Sequence, residues 1–308
     1  MKLKSILYGA TTVFFLTSAS ANNSVSSETA SFEGVSLLGQ RLYSAAPSAS
    51  AFAKYESAKS AYKAAPNDPE KLIWYGRRTA YLGRYLEAIA IFSEGVEKHP
   101  SDIRMLRHRA HRYISTRQLD KALEDFSKAA KMMKGQKDQV EPDGLPNAMN
   151  IPLTTTQGNI RYHLGLTYYL KKDWENARRV FEEDLRNTDN DDGIVATTHW
   201  LYMILKRMGR DQEAAALLDK IDADMNIIEN FAYHRACLFY KGEVAYEDVF
   251  ANDIAGPGNA GLVYGFANWH LYNNRKKEAL KIMEDLLKTP SWSAFGYIAA
   301  EADIADLK

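Results

Sequence analysis

An internal repeat constrains this chain more than any other feature of its sequence. Ala88 is followed by Ala122 after 34 residues, and Phe92 is followed by Phe126 after the same interval. Self-similarity with a period of about 20 to 50 residues is typical of stacked supersecondary units, each of which buries the apolar face of its neighbour. Three later segments keep the same phase of a small and a large apolar residue: Ala177 with Phe181, Ala214 with Leu218, and Ala279 with Met283.

Each unit contains two segments with helical spacing and a turn between them. The first segment carries Leu-Gly and then an aromatic residue, and the second carries Ala and Phe four positions apart. This pattern resembles the tetratricopeptide repeat (TPR) over about residues 70–287, with 229–250 as a degenerate copy. In one unit Arg109-Ala110 replaces the Leu-Gly pair. Besides the repeated Ala and Phe, the resemblance rests on Leu164-Gly165 with Tyr168, Gly83 and Gly209 at turns, and Pro100 at the end of a unit.

The resemblance implies an all-α fold, a right-handed α-solenoid of TPR-like helix–turn–helix repeats with a C-terminal capping helix. Neither helix of a pair buries its apolar face alone, so the pairs stack into a superhelix with a concave surface. We predict that this solenoid covers residues 34–308. Its predicted parts are a divergent first helix pair at 34–69 (from segments 37–43 and 51–65), two repeats at 70–133, an inserted loop at 134–158, further repeats at 159–287, and a capping helix at 288–308.

The first residues differ in character from the rest of the chain. Two lysines precede a short apolar run that ends in the small residues Ala-Ser-Ala, an arrangement typical of a secretory signal peptide. We predict a signal peptide over 1–21, cleaved after about Ala21, and a flexible linker over 22–33. No later segment has the roughly 18 consecutive apolar residues that a membrane span needs. Export to the periplasm or out of the cell is expected, with a retained N-terminal membrane anchor as the alternative.

The inserted loop, residues 134–158, interrupts the repeat. Its three prolines, three glycines and threonine run exclude a continuous helix. Loops longer than about 12 to 15 residues are usually functional or disordered, so a floppy insertion and an ordered, turn-built loop both stay open. Its acidic residues precede the next helix. We hypothesise that Glu141 and Asp143 fold back onto the neighbouring basic residues and compete with a ligand.

Residues 104–117 (RMLRHRAHRYISTR) contain five arginines and two histidines but no acidic residue, in a chain of zero formal net charge. In the repeat phase this segment is a first helix, with core positions Leu106, Ala110 and Tyr113. Residues spaced i, i+3, i+4 and i+7 form one stripe along the other side of such a helix. We call this set the basic stripe: Arg104, Arg107, His108 and His111.

The TPR resemblance implies that the basic stripe faces the concave groove, where such proteins bind their partners. Arginine presents planar donors that suit carboxylate or phosphate groups. The histidines predict binding that weakens as the pH rises through about 6 to 7. The two-carboxylate clamp of some TPR families is not supported, because Ile73, His108 and His163 break its pattern. With neighbouring units included, the predicted partner-binding set is Arg77, Arg104, Arg107, His108, His111, Asn159, Tyr162 and His163.

The basic stripe also has a simpler interpretation as a solvated helix face. Its arginines would then pair with nearby acidic residues, and exposed pairs of that kind contribute only about 0 to 1 kcal/mol each. The candidate partners are Glu94, Glu97, Glu124 and Asp125.

Composition and motifs narrow the class of function. The 39 basic and 39 acidic side chains cancel, which argues against a nucleic-acid partner. Cys237 is the only cysteine, and no HExxH, Walker, GxGxxG or GxSxG motif occurs, so we predict no catalytic residue, cofactor or metal site. The sequence therefore predicts a non-enzymatic, exported scaffold that binds a protein or peptide with an exposed anionic group. The alternative is a solenoid that binds a small ligand or glycan under the inserted loop, and the oligomeric state stays open.

Overall fold

The structure, a computed structural model, describes residues 30–249 and 259–307. The predicted signal peptide and residues 22–29 of the predicted linker lie outside the described residues. Within the described part, two short strands precede fourteen α-helices. None of these helices is long and apolar enough to cross a membrane.

The elements follow one another in a simple order. The strands are β1 (Phe32–Val35) and β2 (Arg41–Tyr43). The helices of the first half are α1 (Ala49–Ala64), α2 (Pro69–Tyr81), α3 (Tyr85–Lys98), α4 (Ile103–Ser115), α5 (Leu119–Met132), α6 (Thr156–Leu170) and α7 (Trp174–Asn187). Those of the second half are α8 (Asp191–Arg207), α9 (Asp211–Leu217), α10 (Phe231–Lys241), α11 (Tyr246–Val249), α12 (Ala260–Tyr272), α13 (Lys276–Leu286) and α14 (Phe295–Leu307). From α2 to α13, each even-numbered helix and the next odd-numbered one form a repeat.

The helices pack as a solenoid in which each helix from α1 to α8 contacts the next. The small residues that define the repeat lie at these contacts, and Ala88, Ala122 and Ala177 are fully buried. Glycine is needed in the Leu-Gly pair for a steric reason. A methyl group at Gly165 would lie only 2.8 Å from the ring of Phe181. The structure thus confirms the all-α repeat architecture that the sequence periodicity predicts.

The turn between the two helices of a repeat has left-handed backbone geometry. Gly83 and Gly209 have φ values of 76° and 69° at this position. Glycine adopts this conformation without a steric penalty, whereas other residues lose roughly 1–2 kcal/mol. Arg117 and Lys172 occupy the equivalent turns with φ values of 62° and 60°. Both residues use their side chains to hold the C-terminal helix.

The C-terminal helix α14 closes the solenoid, because it packs against α12, α13 and α6. The carboxylate of Glu301, only 1% exposed, accepts hydrogen bonds from Arg117 Nε and Nη2 at 2.9 and 2.7 Å. The same group accepts the backbone N–H of Leu37 at 3.1 Å. Two residues further on, Asp303 accepts from Lys172 Nζ at 3.1 Å. The capping helix therefore ties the N-terminal segment to the central repeats.

The predicted helix over 37–43 is wrong. Gly39 has a φ of 81° in a tight turn, which a helix does not tolerate, and β2 then pairs antiparallel with β1. Burial alternates along β2, with Leu42 buried between two exposed neighbours, as a strand with one covered face requires. The first unit is therefore a β-hairpin followed by the single helix α1. The hairpin also includes residues 32–33, which we assigned to the linker.

Candidate functional site

Four predicted partner-binding residues surround one carboxylate between α2, α4 and α6. Glu141 is 7% exposed, and its Oε1 lies 3.0 Å from Arg107 Nη2 and 3.9 Å from Arg77 Nη1. Asn159 Nδ2 donates to the other carboxylate oxygen at 3.1 Å. His108 Nε2 lies 4.0 Å from Oε1. We call these five residues the carboxylate site; three successive repeats contribute to it.

The inserted loop brings Glu141 to this position through a short, hairpin-like stem. Val140 pairs with Thr155 in an antiparallel bridge, and the Glu141 N–H donates to the carbonyl oxygen of Thr154 at 2.9 Å. The carboxylate of Asp138 accepts from Thr155 Oγ1 at 2.7 Å. Because this stem has regular hydrogen bonds, Glu141 is held at the arginines before any ligand arrives.

The inserted loop is anchored a second time beyond Glu141. Arg78 Nη1 donates to the carbonyl oxygen of Gly144 at 2.9 Å. A methyl group at Gly144 would lie only 1.9 Å from the hydroxyl oxygen of Tyr81, so the backbone of the loop lies directly against α2. Only glycine allows this approach. The loop is therefore docked on the same helix that carries Arg77.

Burial perturbs the charged groups of the site. It lowers the pKa of Arg107, an effect that Glu141 opposes and Arg77 reinforces. Arg112, one turn further along α4, has its pKa lowered to about 10, mainly by burial and further by Arg107 and Arg77. Partial burial raises the pKa of Asp143, and the charge of Arg77 offsets part of this rise. In all three groups burial is the largest cause of the pKa shift, because it disfavours the charged form.

The histidines of the set are neutral. Arg107 Nη1 donates to His108 Nδ1 at 2.9 Å, and the His108 ring stacks on Phe92 at 5.2 Å. The rings of His111 and His163 are 4.4 Å apart. Burial, aided by neighbouring arginines, lowers the pKa of His108 and His111 well below the ordinary value, and that of His163 to about 3. The predicted loss of histidine charge between pH 6 and 7 is therefore wrong, because these rings are already uncharged.

Arg104 does not join the carboxylate site. Its Nε donates to Asp102 Oδ1 at 2.9 Å, and its guanidinium also pairs with Glu70. Arg109 pairs with Asp125 at 2.7 Å. These two arginines thus pair with nearby acidic residues, as the simpler interpretation of the segment expects.

A larger cavity of about 640 Å³ adjoins the carboxylate site between α6, α8 and the stem of the inserted loop. Tyr162 and Tyr233 line it, and the ring of Phe295 from α14 lies at its edge. Tyr162 Oη accepts from the Trp200 indole at 2.8 Å, which fixes this ring at the wall. The cavity also contains Asp184, whose pKa burial raises to about 6. It is of the size that commonly binds small ligands.

Sequence reasoning missed two contributors to this region. Arg112 lies at i+8 from Arg104 and at i+4 from His108, so it continues the face of the basic stripe, and this helical spacing is the signal that identifies it. Phe295 was assigned to the capping helix, yet its ring packs against His111 and His163 at 5.3 Å. No signal in the sequence places the end of the chain beside the basic stripe. Among the described residues, no group of three or more His, Cys, Asp or Glu side chains is arranged to hold a metal ion.

Comparisons with known proteins identify the fold. No protein-family model matches the chain, and no curated protein sequence matches it. A solved tetratricopeptide repeat protein from Parabacteroides merdae is similar, with a TM-score of 0.50 and 18% identity over 78% of this chain and 86% of that chain. YrrB, described as a TPR protein with an unusual peptide-binding site, has a TM-score of 0.43 and 15% identity over 76% of this chain and 92% of its own. The chain therefore has the fold of the tetratricopeptide repeat proteins, an all-α solenoid of helix–turn–helix units.

Proposed function

We propose that this chain is a non-enzymatic, exported scaffold that binds a protein or peptide partner through an acidic group. The observation that carries the proposal is the environment of the Glu141 carboxylate. A carboxylate lies buried between Arg77 and Arg107 with an amide donor on its second oxygen. Charge-assisted hydrogen bonds from arginine are the strongest polar contacts that a carboxylate makes. The carboxylate site thus already holds the chemical group that an acidic partner would present.

Glu141 acts in this proposal as an internal ligand. A group tethered by a short loop competes at an effective concentration of order millimolar. A single free carboxylate cannot compete well against it. An acidic peptide that also contacts the neighbouring surface can, since its further contacts offset the tethered competitor. Tyr162 and His163, which line the adjoining cavity, supply part of that surface.

The test measures the binding of a fluorescent peptide rich in Glu by fluorescence anisotropy, with its Gln-substituted twin as the ligand control. Deletion of residues 138–152 should raise the affinity for the Glu peptide about tenfold or more, because the tethered competitor is removed. Arg107→Met should abolish binding in the deletion background. Arg104→Met is the matched control, since Arg104 pairs outside the carboxylate site, and it should change affinity less than threefold. Unchanged or weaker binding after the deletion would refute the proposal.

A second candidate function rests on the 640 Å³ cavity, which residues 153–155 of the inserted loop help to cover. Tyrosine rings beside carboxylate, amide and hydroxyl groups suit a small polar ligand such as a glycan. Neutral mono- and disaccharides should then raise the melting temperature, and Tyr233→Ala should remove this effect. Peptide binding without any sugar response would favour the scaffold instead.

Export is part of the proposal and has its own test. The signal peptide over 1–21 should be removed after about Ala21. N-terminal sequencing of the chain from periplasmic and culture-medium fractions would detect the new terminus. An uncleaved chain in the membrane fraction would instead support a retained anchor.

A further inference from the structure

A small cavity beside Glu141 has more positive than negative charge in its walls. Its volume is about 110 Å³, and it lies between α2 and α4. Arg77, Arg107 and Arg112 all line it, and Glu141 is the only carboxylate among the described residues of its lining. Three guanidinium groups therefore share one acidic partner at this place.

The charge of Arg112 has no compensating carboxylate within ion-pair distance in the described ranges 30–249 and 259–307. Its guanidinium lies over the ring of Tyr85, 5.2 Å from the centroid, which is a weak interaction compared with an ion pair. Arg107 is 8% exposed, and its Nε has no hydrogen-bond partner among the residues that the structure describes. Among the described residues, Arg112 thus lacks a carboxylate partner and Arg107 Nε lacks a hydrogen-bond acceptor, and both side chains line the cavity.

The other groups around the cavity do not supply the missing negative charge. His108 and His111 also line it, and burial keeps both rings uncharged. Tyr81 contributes only a hydroxyl, which accepts from Arg77 Nη2 at 3.3 Å. An arginine does not relieve the imbalance by losing its proton near pH 7. Buried charges of one sign persist in proteins when they are paired, and an unpaired buried ionised group is strongly unfavourable.

We infer that this cavity binds one small anion, of the size of chloride or acetate, through Arg107 and Arg112 beside Glu141. The volume supports this size. The cavity has room for such an ion together with water, since even a single water needs only about 10–15 Å³ of this kind of volume. This anion site is distinct from the position that the Glu141 carboxylate occupies. The inference does not depend on peptide binding, and failure of either proposal leaves the other standing.

The experiment follows thermal unfolding at constant ionic strength while sodium gluconate, whose larger anion serves as the reference, is replaced by sodium chloride or sodium acetate. A ligand that binds only the folded state raises stability in a saturable manner. We expect the melting temperature of the wild-type chain to rise by roughly 2 to 5 °C at about ten times the dissociation constant. A response to chloride identifies a free inorganic anion as a ligand. A response to acetate alone identifies a carboxylate, which a partner could also provide.

Arg112→Met is the decisive variant. It should abolish the anion response, and in gluconate it should be at least as stable as the wild type, because it removes a charge that lacks a carboxylate partner. Arg104→Met is the control and should keep the full response, since Arg104 pairs with Asp102 and Glu70 away from the cavity. Line broadening of the ³⁵Cl resonance by the wild-type protein, reversed by acetate, gives a readout that needs no variant to fold. Absence of any anion response in the wild type, or an equal response in Arg112→Met, would overturn the inference.

Discussion

Replacement of Arg117 by glycine separates two opposing contributions to stability at the junction between α14 and the repeats. Arg117 has a φ of 62°, and relief of this left-handed strain should stabilise the chain by about 1–2 kcal/mol. The same substitution removes both hydrogen bonds to Glu301 and leaves that carboxylate at 1% exposure. Loss of one partner from a buried ion pair costs about 3–5 kcal/mol. The loss of the ion pair outweighs the relief of backbone strain. Arg117→Gly should therefore lower the free energy of unfolding by about 1–4 kcal/mol.

Urea unfolding followed by tryptophan fluorescence measures this change, because Arg117 Nη2 also donates to the backbone of Trp292 at 2.7 Å. The double variant Arg117→Gly/Glu301→Gln no longer has a stranded charge and should recover roughly 1–3 kcal/mol relative to Arg117→Gly. Asn274→Gly is the control for the backbone effect, since Asn274 has a φ of 60° at an equivalent turn without such an ion pair. It should stabilise the chain by up to about 1 kcal/mol. An Arg117→Gly variant as stable as the wild type would refute this reasoning.

Four further outcomes test other parts of the structure. Gly144→Val should clash with Tyr81 and release the inserted loop, which limited trypsin digestion would detect as faster cleavage near residue 137 while global stability changes little. Gly165→Ala places a methyl group 2.8 Å from Phe181 and should lower the free energy of unfolding by about 1–3 kcal/mol in urea titrations. Acidic-peptide affinity should be nearly constant from pH 6 to 8, because burial holds the pKa of His163 at about 3. Since an unfolded histidine binds a proton near pH 6.5, the free energy of unfolding should instead fall as the pH drops below that value, and His163→Gln should weaken this fall.

The repeat architecture could be predicted because its physical cause is local and periodic. A buried small residue recurs at Ala88, Ala122 and Ala177, since close helix packing demands it in every unit. The hairpin at 32–43 was missed for a related reason. It is short and occurs once, and Gly39 was interpreted as part of a divergent helix, although its φ of 81° makes it a turn residue.

The candidate site is formed by contacts between segments that are far apart in the sequence. The spacing of residues within a repeat does not predict such contacts. The sequence-based hypothesis places both Glu141 and Asp143 against the basic residues. In the structure Glu141 lies beside Arg77 and Arg107, whereas Asp143 has no ion pair in the described part of the chain. The role of α14 had one overlooked signal. Arg117 and Lys172 stand at turn positions where Gly83 and Gly209 show that glycine is favoured, and charged residues at strained positions often have a tertiary partner.

The affinity of the Glu-rich peptide for Glu141→Gln, compared with Asp143→Asn, tests the central claim most directly. Both variants remove one negative charge from the same loop, but only Glu141 lies within ion-pair distance of Arg77 and Arg107. If the Glu141 carboxylate occupies the site where the partner binds, Glu141→Gln should bind the peptide about tenfold more tightly than the wild type. Asp143→Asn should change the affinity less than threefold. Equal effects of the two substitutions, or no gain in Glu141→Gln, would contradict the account.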